Sequence, residues 1–174
     1  MPALHKYSGV RFASRLCAVL ILLPCLVFQG SAAFSRENST GLYEQGANLA
    51  LQGKIDDAIA SFKRSLELNP YYSKAHYGLG KAYLTREGRL GDAVRHLRRS
   101  VELDARMASA HFYLGLAFMF QRNYEKSVHS FQRAYDYDPG MVEALYNIAS
   151  IYDYLGLGYQ VKIFYAKFLQ ESAE

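Results

Sequence analysis

From residue 39 onward, apolar and small side chains return at helical spacing, interrupted at short intervals by turn signals. Leu42, Gly46 and Leu49 share one face at i, i+4 and i+7, and Gly53 closes the segment. Ile55, Ala58, Ile59, Phe62 and Leu66 mark a second amphipathic helix, stopped by Asn69-Pro70. Proline lacks the amide hydrogen that a helix needs and biases the residue before it toward extended angles. The same pair then recurs. His76, Leu79, Gly80 and Tyr83 precede Ala93, Leu97 and Val101; His111, Leu114, Gly115 and Phe118 precede Val128, Phe131 and Ala134. Leu145, Ile148, Ala149 and Tyr152 precede Val161, Tyr165 and Phe168.

Three positions keep this register. Gly46, Gly80, Gly115 and Ala149 are separated by 34, 35 and 34 residues; Phe62, Leu97, Phe131 and Tyr165 by 35, 34 and 34. Pro70 and Pro139 stand two periods apart. A small residue, a large apolar one and a helix stop repeating together predict one helix–turn–helix unit copied four times. The small residue is read as the point where the two helices of a unit cross closely.

These residues resemble the tetratricopeptide repeat, whose signature is W-x2-L-G-x2-Y, then A-x3-F, then P. His76-x2-Leu79-Gly80-x2-Tyr83 and His111-x2-Leu114-Gly115-x2-Phe118 match its first part. Ala58-x3-Phe62 with Pro70, and Ser127-x3-Phe131 with Pro139, match the second. Gln45 departs from the pattern, as do Ala105 in place of proline, one extra residue between Thr85 and Asp92, Ala149 and Val161. The resemblance implies an all-α solenoid of four repeats, at 39–72, 73–107, 108–141 and 142–174, wound as a right-handed superhelix.

Composition changes the picture chiefly at the N-terminus. Residues 1–33 hold Lys6, Arg11 and Arg15 and no acid, so most of the chain's formal +4 charge belongs to this leader. Whole-chain charge is therefore no argument for a nucleic-acid partner. Leu16 to Phe28 is an apolar run of 13, and Gln29-Gly30-Ser31-Ala32-Ala33 follows. That order predicts a secretory signal peptide over 1–33, cleaved before Phe34. Stretched to Phe34 the segment would be an uncleaved anchor, the one case in which a membrane is a partner. A lipidated Cys25 is disfavoured by Pro24 before it. Every version exports the repeats, with a periplasm or cell envelope as the expected location. Both cysteines, Cys17 and Cys25, lie in the leader, so the repeats hold neither a disulfide nor a thiolate metal site.

Candidate chemistry is sparse. His76 and His111 occupy equivalent positions and are expected to stack between helices, while His96 and His129 are expected in solvent. No H-E-x-x-H spacing appears, and Gly78-Leu79-Gly80-Lys81 lacks the spacing and the preceding strand of a phosphate loop. No catalytic residue, metal or cofactor is predicted, and the chain reads as non-enzymatic. Arg86, Arg89, Arg95, Arg98, Arg99 and Arg106 form a basic cluster, read as an outer face balanced by Glu87, Asp92, Glu102 and Asp104.

The resemblance places the binding surface on the first helix of each unit. Its groove positions are Tyr43 in unit one and Tyr77 and Lys81 in unit two. Unit three offers Phe112, Tyr113, Leu116, Met119 and Phe120, and unit four Tyr146, Asn147 and Tyr154. The expected guest is a peptide or amphipathic helix of a protein partner, with unit three as the main anchor. Positions where some relatives carry a basic clamp for a terminal carboxylate hold Tyr43, Ala47, Gly78, Ser109 and Tyr113. The last helix, 157–171, carries apolar residues on much of its circumference, which points to self-association. The overall expectation is an exported scaffold or adaptor. The alternative is an anchored assembly factor for a respiratory, secretion or pilus complex.

Overall fold

The computed structural model describes residues 38–173, and the predicted leader lies outside the described residues. Among the described residues there are eight α-helices and no strand. They are α1 (Ser39–Leu51), α2 (Ile55–Leu68), α3 (Ser73–Leu84), α4 (Leu90–Leu103), α5 (Ala108–Phe120), α6 (Tyr124–Tyr137), α7 (Glu143–Tyr154) and α8 (Gly158–Glu171). Each odd-numbered helix packs antiparallel-fashion on the next, giving four helix pairs in an all-α solenoid.

The crossings fall where the 34–35-residue period places them. A methyl group added at Gly46 or Gly115 would sit 2.7 or 2.8 Å from the ring of Phe62 or Phe131; at Gly80 it would sit 2.6 Å from Leu97 Cγ. No side chain fits at those distances without displacing its neighbour. Gly78, on the other side of Phe62, would also meet that ring, at 2.7 Å. Phe62 is thus gripped between two glycines, one from its own unit and one from the next.

The turns repeat as faithfully. Within each pair one residue takes a positive φ: Gly53 (76°), Gly88 (70°), Arg122 (57°) and Gly156 (73°). Between pairs the second helix ends on Asn69, Asp104 or Asp138, each extended at φ near −140°. Their side-chain oxygens accept the amides of Tyr71, Arg106 and Gly140 at 3.1–3.2 Å. This explains why Ala105 can replace proline in unit two. The Asp104 side chain makes the turn locally, so the stop does not depend on the ring. The extra residue of unit two is absorbed in the longer α3–α4 connection, where Arg86 pairs with Asp56 of unit one at 2.6 Å.

Buried side chains form clusters between successive elements. Ala58, Phe62, Leu79, Ala82, Tyr83 and Ala93 fill the first, and Val94, Leu97, Leu114, Ala117 and Phe118 the second. Phe131, Ala134, Tyr135, Ala144, Leu145, Ile148 and Ile151 fill the third. One buried serine fastens each of the first two pairs at its open end. Ser65 Oγ donates to the Ser39 carbonyl at 2.6 Å, and Ser100 Oγ to the Ser73 carbonyl at 3.0 Å. Each bond satisfies a hydroxyl that would otherwise be costly to bury.

Candidate functional site

The first helices touch one another across unit boundaries, α1 with α3 and α3 with α5, whereas the second helices do not pack together to the same extent. The first helices are therefore the inner rank of the array, and their free flank is its inner surface. Tyr43, Tyr77, Lys81 and Tyr113 make a connected ladder there. The Tyr77 and Tyr113 rings meet edge-on at 5.7 Å, and Lys81 Nζ lies 4.8 Å from the Tyr113 centroid. Tyr43 packs on Phe62 (5.7 Å) and edge-on against Tyr72 (5.6 Å).

Partial burial raises the phenol pKa of Tyr43 and of Tyr77. For Lys81, burial pulls downward, but hydrogen bonding to Tyr113 and the fields of Tyr77, Tyr113 and Tyr43 outweigh it, leaving the ammonium pKa raised. Lys81 is thus a fixed cation set among aromatic faces. Beside it opens a recess of about 390 Å³ lined by Tyr43, Ala47, Leu51, Tyr77, Gly78 and Lys81 among others.

Unit three is arranged differently. Phe112 stands edge-on to Phe131 at 5.4 Å and to Tyr113 at 5.8 Å. With Leu116 and Met119 it packs against the cluster shared with α7, so these three are half-buried and partly spent on holding units three and four together. The recess itself lies between units one and two, next to Tyr113 of unit three through Lys81. Phe120 is 58% exposed. In unit four Tyr146 leans on Tyr165 and Phe168 of α8. The Asn147 amide donates to the Glu143 carbonyl at 2.8 Å, and Tyr154 meets Tyr124 at 5.2 Å. Leu51, Phe120 and Tyr154 end their helices at equivalent positions and form an exposed apolar row along one rim; Thr85 takes the place in unit two.

The outer surface corrects one expectation. His96 is not in solvent: it is half-buried, and its Nδ1 lies 3.0 Å from Nδ1 of His76. The ring centroids are 5.2 Å apart, which is the nitrogen–nitrogen distance plus the two ring radii, so the imidazoles meet edge to edge. His76 Nε2 lies 3.1 Å from the Pro70 carbonyl and must donate to it. Its Nδ1 then carries the lone pair that accepts from Nδ1–H of His96. Burial pushes His96 down to about 4, with His76 and Arg95 acting in the same sense. Burial also lowers His76 and His111, partly offset by the Pro70 and Ala105 carbonyls. His111 meets Tyr137 at 5.4 Å with the two rings tilted, and His129 is exposed. No group of three metal-ligating side chains occurs among the described residues. His96 was detectable in principle, since it sits one residue before Leu97 and so beside the crossing.

Family profiles match on this framework: that of the TPR repeat over residues 46–86, and that of the tetratricopeptide repeat over 108–141. The chain is a tetratricopeptide-repeat protein. No curated protein matches its sequence. Among solved structures, this repeat protein is similar to a crystal structure of MamA, with TM-score 0.74, 22% identity and 97% of each chain covered. MamA 41-end from Desulfovibrio magneticus RS-1 gives 0.70 and 24%, over 78% of this chain and 76% of that one. The first TPR of Spaghetti (RPAP3), solved bound to the HSP90 peptide SRMEEVD, gives 0.64 and 23%, over 68% and 93%. At these identities the likeness is one of fold, and the repeat protein's own groove has to be read from its residues.

Proposed function

We propose that the protein is a non-enzymatic scaffold that captures a peptide or amphipathic helix of a protein partner along the inner surface of its repeats. The observation that carries this reading is α5 with its neighbours. The segment Ala108–Phe120 is apolar almost all round, yet one flank stays half-exposed beside the Tyr77–Tyr113–Lys81 ladder. A helix of that composition in a solitary protein belongs in a core. Here the flank continues into the rim of Leu51, Phe120 and Tyr154, an arrangement suited to aromatic anchoring of a guest. The RPAP3 relative holds a peptide in the same fold. The guest here differs from a clamped terminal carboxylate, because Tyr43, Ala47, Gly78, Ser109 and Tyr113 supply no cation. Lys81 is the cation set within the ladder itself.

A photo-cross-linking residue at Phe120 of the full chain tests this. The expected result is a discrete partner adduct that disappears with Tyr77→Ala plus Tyr113→Ala. An adduct that persists in that variant overturns the reading.

Export is part of the same proposal and rests on the leader's sequence. The basic start, the 13-residue apolar run and the small residues before Phe34 support a cleaved signal and an envelope location. The apolar stretch extending to Phe34 supports the second reading, an anchored assembly factor for a respiratory, secretion or pilus complex. Mass spectrometry of the mature N-terminus separates them: a chain starting at Phe34 leaves no anchor. Self-association through α8 is the remaining element. No residue of α8 is buried, and Tyr159 (76%), Ile163 (46%) and Leu169 (64%) are exposed. Light scattering that finds a strict monomer at high concentration removes it.

A further inference from the structure

The outer surface holds a second concavity that the scaffold reading does not use. Between α4, α5 and α6 lies a groove of about 480 Å³. Its floor is apolar and aromatic: Val101, Leu114, Phe118 and Tyr137. Its rim is basic. Arg98, Lys126 and Arg133 are all exposed, and none has a carboxylate partner among the described residues. Lys126 Nζ lies 5.8 Å from the Phe118 centroid and Arg133 Cζ 6.0 Å from that of Tyr137, so both cations stand over the floor they edge.

The contrast with neighbouring arginines gives the groove its meaning. Arg89 and Arg95 both pair with Asp92, Arg99 pairs with Glu102, and Arg86 with Asp56. Those four share three carboxylates, so each already has an ion-pair partner at the surface. Against three unpaired cations the groove sets a single acid, Glu125. His111 and exposed His129 complete the wall. Burial lowers His111, and its Nε2 is committed to the Ala105 carbonyl at 3.0 Å.

We infer that this groove binds an acidic peptide segment: an apolar side chain on the Phe118–Tyr137 floor, flanked by carboxylates on Arg98 and Arg133. Guanidinium groups bind carboxylates through two parallel hydrogen bonds, which fixes orientation as well as charge. A peptide fits better than a phosphate backbone or a lipid surface for two reasons. The floor is recessed and apolar, which a flat headgroup layer leaves unfilled. Glu125 within the groove repels a uniform polyanion, whereas a peptide can set a neutral or basic residue against it. The three cations stand on the second helices α4 and α6 and the inner ladder on first helices, so one chain would hold two partners on opposite faces.

Selection of a random peptide library on the full-length chain tests the inference. Enriched peptides are expected to place two or more Asp or Glu around one apolar residue. Arg98→Glu with Arg133→Glu should weaken the enriched peptides by about tenfold or more, because the variant turns attraction into like-charge contact. Arg98→Gln with Arg133→Gln should give an intermediate loss, with helical circular dichroism and melting unchanged for both variants. Binding should fall as salt rises. The inference is overturned if no peptide enriches, if enriched peptides lack acidic excess, or if the glutamate variant binds them as tightly. It is also overturned if anionic phospholipid vesicles or an oligonucleotide compete as well as the peptides per unit charge. Tyr43→Ala, which opens the inner recess and lies outside the cluster that floors this groove, leaves this binding intact, so the two grooves stand or fall separately.

Discussion

Phe131 and Tyr165 occupy the same place in the repeat, one period apart, and they lead different lives. Phe131 is wholly buried, held by Gly115 of its own unit and by Leu145 and Ile148 of the next. Tyr165 is half-exposed, touches Tyr146 at 5.9 Å, and has no later helix over it among the described residues. In this architecture a second-helix position becomes core only when the following unit covers it. Sequence equivalence sets the geometry of the crossing; neighbours set its energy.

The strongest way to break that comparison is to truncate both rings. Phe131→Ala should cost about 3–5 kcal/mol, as expected for a large buried side chain. Tyr165→Ala should cost less, about 1–2 kcal/mol, since its ring is only partly covered. Equal losses in urea titrations would refute the neighbour argument. Next comes the glycine side of the same contact. Gly80→Leu should destabilise by about 1–3 kcal/mol or more, because its Cβ would fall 2.6 Å from Leu97 Cγ in the covered interior. Ala149→Leu, by the uncovered end, should cost less, and thermal melting compares the two.

A third prediction concerns the His76–His96 pair, which ties a covered unit together from outside. His96 is held below its ordinary value of 6.5, down to about 4. The unfolded chain therefore binds more protons between those values. Stability is fully present above pH 6.5 and drains away as pH falls toward 4. With partial exposure allowed for, the loss is about 1–2 kcal/mol. His96→Gln removes the titration, so the wild type's advantage over it should shrink through that window. A constant gap from pH 7 to pH 4 would contradict the pairing. The smallest effect is at Arg122, which takes the positive φ that glycine takes in the other three pairs. Arg122→Gly should stabilise by about 1 kcal/mol, seen as a slightly raised melting temperature.

Much of the fold was legible because the period carries it: Gly80 with Leu97, and Gly115 with Phe131, are the crossings the spacing predicts. What escaped was set by side chains whose partners lie far along the chain. Ser65 and Ser100 recur at 35 residues and look like ordinary small residues until their bonds to Ser39 and Ser73 are seen. His96 looked solvated because its place beside Leu97 does not by itself show that His76 presents a ring to it. Ala105 looked like a lost helix stop, and the Asp104 turn shows why it is not one. Of the groove residues, Phe112, Leu116 and Met119 read as surface from helical position alone. Their half-burial depends on α7, which a single-helix reading cannot weigh.

Every substantial contact between helices lies within a unit or between adjacent units. Among the described residues no substantial tie joins the first unit to the third or the second to the fourth. Pulled by its ends, such a chain gives way in steps, shedding one unit at a time instead of snapping at once. The weakly covered α8 is the natural place for unravelling to begin, so whatever grips that helix would also set how much load the rest can bear.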